Sequence, residues 1–476
     1  MSTADGATQT ITPQLLLSLL PLLAALFLDA ADATYFQGIF RALEVDLGLT
    51  LVNLSYLQGA GAMAVMLFGP LWAFAADQRI LSRKMLLVIS CLGWGFVSIS
   101  IGRFVTSFSQ LLVLRFVNAA FLSCGIPMTQ YIICSLVGPE LRGKCFGFAS
   151  IAGSLGVIVC SALSTAFSEE IVFGVDGWRV GLFCLGSLSL VFATAIYIFM
   201  EDSCDECEKL GDSSLHWTTP FLRLREHWKV HTFRVMCVQG CFGLFAYQVM
   251  TFSTMWFQYC GFFDEQAGAV TAFWHIGCLL GSLFGGFMSD VLYRTMPLHG
   301  RQYMAQVGLS VAVPTVAIIF RVLPRGPDAI RYIAPFMCLF GMSTGMLVPG
   351  VIRPMMAQIA PKTQVASMIA WEFSLEQLFG TLWGPVVVSW LSSISGYIPT
   401  DLPVQRMPPD MRDHNTEALA FVIRTCACFG YSCVLIGLTV MHWTFPRDVK
   451  VIEEAKLSLP ATEKTSLVRH MSSELL

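Results

Sequence analysis

Apolar residues in this chain gather into long runs separated by short polar breaks. Runs that reach the roughly 20 residues needed to cross a bilayer core fall at about 15–39, 54–76, 84–104, 108–137, 145–167 and 179–200. After a polar stretch a second set falls at about 233–258, 265–290, 303–322, 331–356, 364–392 and 416–444. These runs are too long for barrel strands, and hydrocarbon tolerates no unpaired backbone, so each reads as a helix. The pattern predicts an all-α membrane protein of twelve transmembrane helices in two six-helix bundles, 15–200 and 233–445. A polar tail (1–14) precedes them, a charged linker (201–232) joins them, and a second polar tail (446–476) follows.

Composition sharpens this picture. Only 13% of the 476 residues are charged and 55% are hydrophobic, whereas a soluble domain carries about 25% charge. A net charge of -3 points away from nucleic acid as a partner. The opening "MSTADGATQTITPQ" lacks the basic region of a secretory signal, so the first run is expected to stay in the chain. Most of the 16 cysteines lie in apolar runs, where a thiol packs as a small hydrophobe; Cys204 and Cys207 form a C-x-x-C with no second pair at zinc-site distance. No nucleotide loop, H-E-x-x-H or nucleophile elbow occurs, so no enzyme, ATP-driven pump, catalytic residue, metal or cofactor is expected. Lys and Arg are denser on the side that holds both chain ends, which predicts cytoplasmic termini. The expected partners are the lipid bilayer, a small-molecule solute and protons, with the chain working as a monomer.

The charges inside the apolar runs are the candidate chemistry. A charge at the bilayer centre costs at least about 2.5–3.5 kcal/mol, so such residues line cavities or pair. Asp29 and Asp32 are three apart in the first run, and Glu372 and Glu376 four apart in the eleventh, so each pair shares a helix face. Arg115, Arg353 and His275 are the candidate counter-charges. A carboxylate that exchanges an arginine for a proton would couple transport to a proton gradient; a fixed buried ion pair would only set helix packing. Both readings are open from the residues alone. Tyr247, Gln248 and Trp256 in the seventh run are candidates to contact a solute in the cavity, against a packing role. Gly147, Gly153 and Gly156, like Gly277, Gly281 and Gly285, read as close helix contacts.

The two halves echo each other. "AFAADQRILSRK" after the second run and "GGFMSDVLYRTMPLHGR" after the eighth each place an aspartate (Asp77, Asp290) at a helix end before basic residues. Pro127 and Pro139 in the first half match Pro349 and Pro361 in the second. With "LVLRFVNAAFLSCG", "GPELRGKCFGFASIAGSLG" and "DGWRVGLFCLGSLSLV", these segments resemble the motifs of the major facilitator superfamily over nearly the whole chain. The first loop keeps Asp77, Arg83 and Lys84 but has Ala73 where the family has glycine. Within the family, "LDAAD" and "AWEFSLEQLFG" look closest to the Spinster-like branch and its plant and protist members. Here Ala30 replaces the branch's arginine and its fourth-helix glutamate is missing near Leu122.

This resemblance implies alternating access, with the first, fourth, seventh and tenth helices lining a central path. It implies that Asp77 with Arg142 or Lys144, Asp290 with Arg294, and Arg83 and Lys84 form a cytoplasmic gate, and that both acid pairs face the cavity between the halves. The expected function is secondary active transport of a small organic solute coupled to protons. The alternatives are a lysophospholipid or sphingolipid transporter or scramblase, and a non-transporting membrane sensor.

Overall fold

The structure is a computed structural model that describes residues 13–77, 81–125, 128, 129, 132, 139–168, 170–172, 174–200, 224–347, 351–360, 365–400 and 404–457. Span 1 is α1 (Pro13–Gly38); a short α2 (Phe40–Leu47) follows and stops where Gly48 takes the left-handed φ of 63°. Spans 2 to 6 are α3 (Leu51–Asp77), α4 (Arg83–Phe104), α5 (Phe108–Leu122), α6 (Pro139–Ser168) and α7 (Gly177–Phe199). A two-stranded antiparallel turn, β1 (Ile171–Val172) with β2 (Val175–Asp176), leads into α7.

In the second half, α8 (His231–Met250) and α9 (Ser253–Tyr259) make span 7, α10 (Asp264–Thr295) span 8 and α11 (Gly300–Arg321) span 9. Span 10 is α12 (Ile330–Gly345) with α13 (Arg353–Ile359). Span 11 is α14 (Val365–Glu376) and α15 (Leu382–Ile394), joined by a π turn at Gln377–Thr381. Span 12 is α16 (Pro409–Leu457). Helix therefore occurs at all twelve predicted runs. Among the described residues, nine helices are long and apolar enough to cross a membrane. Spans 4, 10 and 11 fall short because their described helices are shorter: Phe108–Leu122 in span 4, Ile330–Gly345 and Arg353–Ile359 in span 10, and Val365–Glu376 and Leu382–Ile394 in span 11.

Boundaries differ at the last span. α16 starts inside the stretch read as a polar loop and runs past residue 445 into the expected tail. Hydropathy marks the part of a helix that lies in lipid, whereas Asp, Arg, Lys and Glu extend it through water. The linker residues 201–223, with Cys204 and Cys207, and the tails 1–12 and 458–476 lie outside the described residues.

Small residues bring the second-half helices together. A Cβ on Gly277 or Gly281 of α10 would meet the backbone of Cys338 and Met342 on α12; one on Gly341 or Gly345 would meet the carbonyls of Trp274 and Cys278. The two helices thus touch backbone to backbone, as small-residue stripes allow.

Between the halves, the described contacts gather at the end away from the chain termini. There the Ser55 hydroxyl of α3 donates to the carbonyl of Pro385 on α15 at 2.7 Å, and Gly268 of α10 sits against the carbonyls of Ser161 and Ala162 on α6. One apolar core runs through both halves at this end, from Phe40 and Leu54 to Phe252 and Ile423. Toward the termini the first half has a separate core, with Leu22, Leu86 and Met128.

Candidate functional site

The first half holds a closed polar ring. Arg115 of α5 donates through Nη1 to Asp32 Oδ2 of α1 at 2.8 Å and to Asn118 Oδ1 at 2.7 Å. Asn118 Nδ2 donates to Ser98 Oγ of α4 at 2.9 Å, and Ser98 Oγ donates back to Asp32 Oδ1 at 3.4 Å. The guanidinium also lies 4.0 Å from the ring centroid of Phe36, one turn beyond Asp32. Asp32 is fully buried and Arg115 is 9% exposed. Three helices are pinned here by one ion pair whose remaining hydrogen-bonding capacity is met by neutral side chains, the condition under which a buried pair is tolerated.

Asp29 stands apart from the ring. No hydrogen bond or ion pair with a described residue holds it. It lines a recess with Ser90 and Trp94 of α4, Gly125 and Thr129. A Cβ on Gly125 would come within 2.9 Å of Asp29 Oδ2, so the glycine makes room for the carboxylate. Asp32 and Arg115 are close enough for their charges to act on it. Both acids were expected to face the hollow between the halves; instead they sit inside the first bundle, among spans 1, 3 and 4. The physical reason is Arg115, which draws Asp32 toward α5 and turns the shared face of α1 inward.

The recess between the halves is lined by other residues. Thr34, Gln37 and Gly38 of α1 and Ser161 of α6 face Thr251, Thr254, Thr271 and Trp274 of the second half. The hydroxyls of Thr34, Ser161, Thr251 and Thr271 donate to carbonyls of their own helices or chain turns. Their oxygens therefore keep acceptor capacity for a solute. Sequence reading missed this set because no single threonine stands out; the signal is their convergence from four spans.

In the second half, the carboxyls of Glu372 and Glu376 on α14 lie close enough to act on each other. Arg353 is near enough for its charge to act on both, but no ion pair joins them among the described residues, and its Nε finds no acceptor there. Glu376 packs on Gly240 of α8, where a Cβ would strike its Oε1.

The other candidates separate. His275 is buried and stacks on Trp274 at 4.8 Å; among the described residues its Nε2 has no hydrogen-bond partner and no ion pair joins it to either acid pair. Tyr247 packs on Trp274 at 5.1 Å, beside the recess. Gln248 Nε2 donates to Thr381 at 3.0 Å, and its Oε1 has no partner among the described residues. Trp256 is a correction: its Nε1 donates to the carbonyl of Thr416 and its ring packs on Phe320 at 4.6 Å, so it fills the second bundle's core rather than the cavity. The face of span 7 it occupies looks toward spans 9 and 12.

Of the expected gate, Arg83 is half-buried, Lys84 lies 5.7 Å from the ring centroid of Tyr197, and Arg294 is exposed in the last turn of α10. The side chains of Asp77, Arg142, Lys144 and Asp290 lie outside the described residues.

The profile described as Major Facilitator Superfamily matches residues 22–385. A protein of Bacillus subtilis (strain 168) named as a niacin/nicotinamide transporter, NiaP, is 26% identical over 175 residues, 37% of this chain and 42% of that protein, so the match spans under half of the relative's length. In structure the chain is similar to a bacterial homologue of the human lysosomal transporter Spinster, inward-facing and unoccupied, at TM-score 0.76 and 17% identity over 92% of this chain and 98% of the other. It is also similar to the nucleoside transporter NupG (TM-score 0.67, 13% identity, 89% and 98% covered) and to a D-xylose–proton symporter (0.69, 13%, 90% and 97%). At these identities the structural likenesses establish the fold.

Proposed function

This chain belongs to the Major Facilitator Superfamily, and on that premise we propose that it carries a small polar organic solute across its membrane by alternating access, coupled to a proton taken up in the first bundle. The coarse part of this reading follows from the family: the chain is a multi-pass membrane protein and a solute transporter, not an enzyme.

The observation that carries the proton coupling is the carboxylate of Asp29, without a hydrogen-bond partner among the described residues, beside the closed Asp32–Arg115 ring. Asp32 and Arg115 cancel. With Asp29 ionised, one net negative charge remains in a low-dielectric bundle; with Asp29 protonated, the three groups sum to zero. Moving an uncompensated charge through an occluded state is costly, so the proton supplies the neutrality that the conformational change needs. α1 also lines the recess between the halves through Thr34 and Gln37, two and five residues beyond Asp32. One helix thus touches both the proton and the solute. Glu372 and Glu376 form a second proton-holding site in the other bundle, with Arg353 as its neighbour.

The recess offers hydroxyl and amide groups, which favour a polar solute over a lysophospholipid or sphingolipid tail. Nicotinamide, nucleosides and D-xylose, the cargoes in the relatives' names, are polar molecules of this size. Asp77 with Arg142 or Lys144, and Asp290 with Arg294, would gate the end that carries the termini, which we place in the cytoplasm; the protein would act as a monomer.

Metabolite profiling of cells with and without the protein would name the solute. Its uptake into proteoliposomes under an imposed pH gradient then tests the coupling. Uptake should follow the gradient in the wild type and become indifferent to it in Asp29→Asn. Gradient-driven uptake that survives Asp29→Asn and Asp32→Asn alike would reject the assignment.

A further inference from the structure

At the end that carries the chain termini, two histidines meet between spans 9 and 12, away from the acid pairs and the recess. His299 precedes the first turn of α11, and His442 lies in α16 near the end of the last apolar run. Their Nδ1 atoms are 2.9 Å apart. Both rings are half-buried, and the Tyr303 ring lies against His442 with centroids 4.5 Å apart.

A chain of hydrogen bonds fixes the tautomer of His442. Thr439 Oγ1 donates its single proton to the carbonyl of Leu435 at 2.8 Å, so it accepts from Gln306 Nε2 at 3.0 Å. That turns the amide oxygen of Gln306 toward His442 Nε2, 3.2 Å away. A neutral His442 therefore carries its proton on Nε2 and presents the lone pair of Nδ1 to His299. His299 Nδ1 supplies the proton between the two rings.

One ring nitrogen held by an acceptor and the other offered as a lone pair is the arrangement of a metal-ligating imidazole. Imidazole nitrogen binds zinc at about 2.0–2.1 Å, so two nitrogens on a tetrahedral ion lie about 3.3 Å apart. The pair stands at 2.9 Å, and a movement of roughly 0.4 Å by either half-buried ring seats the ion. His299 gives up the bridging position without losing its proton, which moves to its own Nε2. Both rings stay neutral. Among the described residues no third histidine, cysteine or carboxylate joins the pair, so the remaining positions on the ion fall to water.

We propose that His299 and His442 form a binding site for a divalent transition-metal ion of the zinc class, with Gln306 and Thr439 orienting the His442 ring. Two imidazoles and water suit zinc, nickel and copper, whereas magnesium and calcium take oxygen ligands. The ion ties the start of span 9 to the end of span 12 within the second bundle. The site is thus independent of which solute is carried and of whether a proton is coupled.

Zinc titration of the full-length protein in detergent, read by calorimetry after accessible thiols are alkylated, tests the site. Wild type should bind one zinc ion that His442→Ala and His299→Ala do not bind. Gln306→Leu removes only the orienting amide and should hold that ion about 10–100-fold more weakly; unchanged affinity there would overturn the orienting role. X-ray absorption of the zinc-loaded wild type should show imidazole nitrogen and no sulfur around the ion. A pair that serves packing alone would leave zinc binding the same in wild type and in the alanine variants. That result overturns the site, and His299→Ala alone decides it should His442→Ala misfold.

Discussion

The two bundles hide their charges in different ways. In the first, Asp32 meets an opposite charge, and Ser98 and Asn118 complete a ring around the pair. In the second, Glu372 meets a like group, Glu376, and the nearby Arg353 makes no ion pair with either among the described residues. The first arrangement is neutral by pairing and persists without protons. The second brings two like groups together, so a proton shared between them would relieve their repulsion. Pairing with an opposite charge is thus confined to the ring of the first bundle, and Asp29 is the acid of the α1 pair that stays outside it.

The contrast breaks most sharply at Arg115. Arg115→Met leaves Asp32 buried without its partner, and the loss should be about 3–5 kcal/mol, read as a large fall in melting temperature in detergent. Adding Asp32→Asn should recover most of it; no recovery would mean that the arginine stabilises through packing alone. The glycines beside the acids come next. Gly240→Ala drives a methyl into Glu376 Oε1 and should cost about 1–3 kcal/mol. Gly125→Ala meets Asp29 at 2.9 Å and should cost less, because that side chain has a recess to turn into. Equal losses would erase the difference between a packed and a free carboxylate.

Glu376→Gln should change stability by under about 1 kcal/mol, since an amide can still donate to Glu372, whereas Asp32→Asn should cost several times more. Equal melting temperatures for the two variants would contradict the division. The smallest effect concerns pH at the far end. Burial pushes the Glu44 carboxyl above its usual 4.5, against the pull of Arg41, Tyr397 and Tyr259. The folded state then holds that proton more tightly than the unfolded chain. Its contribution to stability is full below pH 4.5 and is lost as pH rises through the higher folded value. Glu44→Gln should remove that segment of slope from a plot of melting temperature against pH.

Much of the fold was legible from apolar run lengths, because hydrocarbon forces every spanning segment to satisfy its own backbone. Asp32 and Arg115 were legible for the same reason: a charge in such a run must find a partner, and few were on offer. Where Asp29 points was not, since three residues of separation fix a shared face but not which neighbour that face meets. Trp256 was misplaced because span 7 has aromatic residues on more than one side, and only packing distinguishes Tyr247 beside the recess from Trp256 in the core. Arg41 and Glu44 fall in the break between the first two apolar runs. Their partners Tyr259 and Tyr397 are 215 and 353 positions from Glu44, beyond the reach of any local pattern.

The most direct measurement of the central claim is proton movement itself. Proteoliposomes loaded with a pH-sensitive dye, held without a pH gradient, would receive a pulse of the solute found by profiling. Wild-type vesicles should acidify inside as solute enters with protons, and Asp29→Asn vesicles should take up solute with no pH change. Solute entry into wild-type vesicles with a flat dye signal would contradict proton coupling in the first bundle.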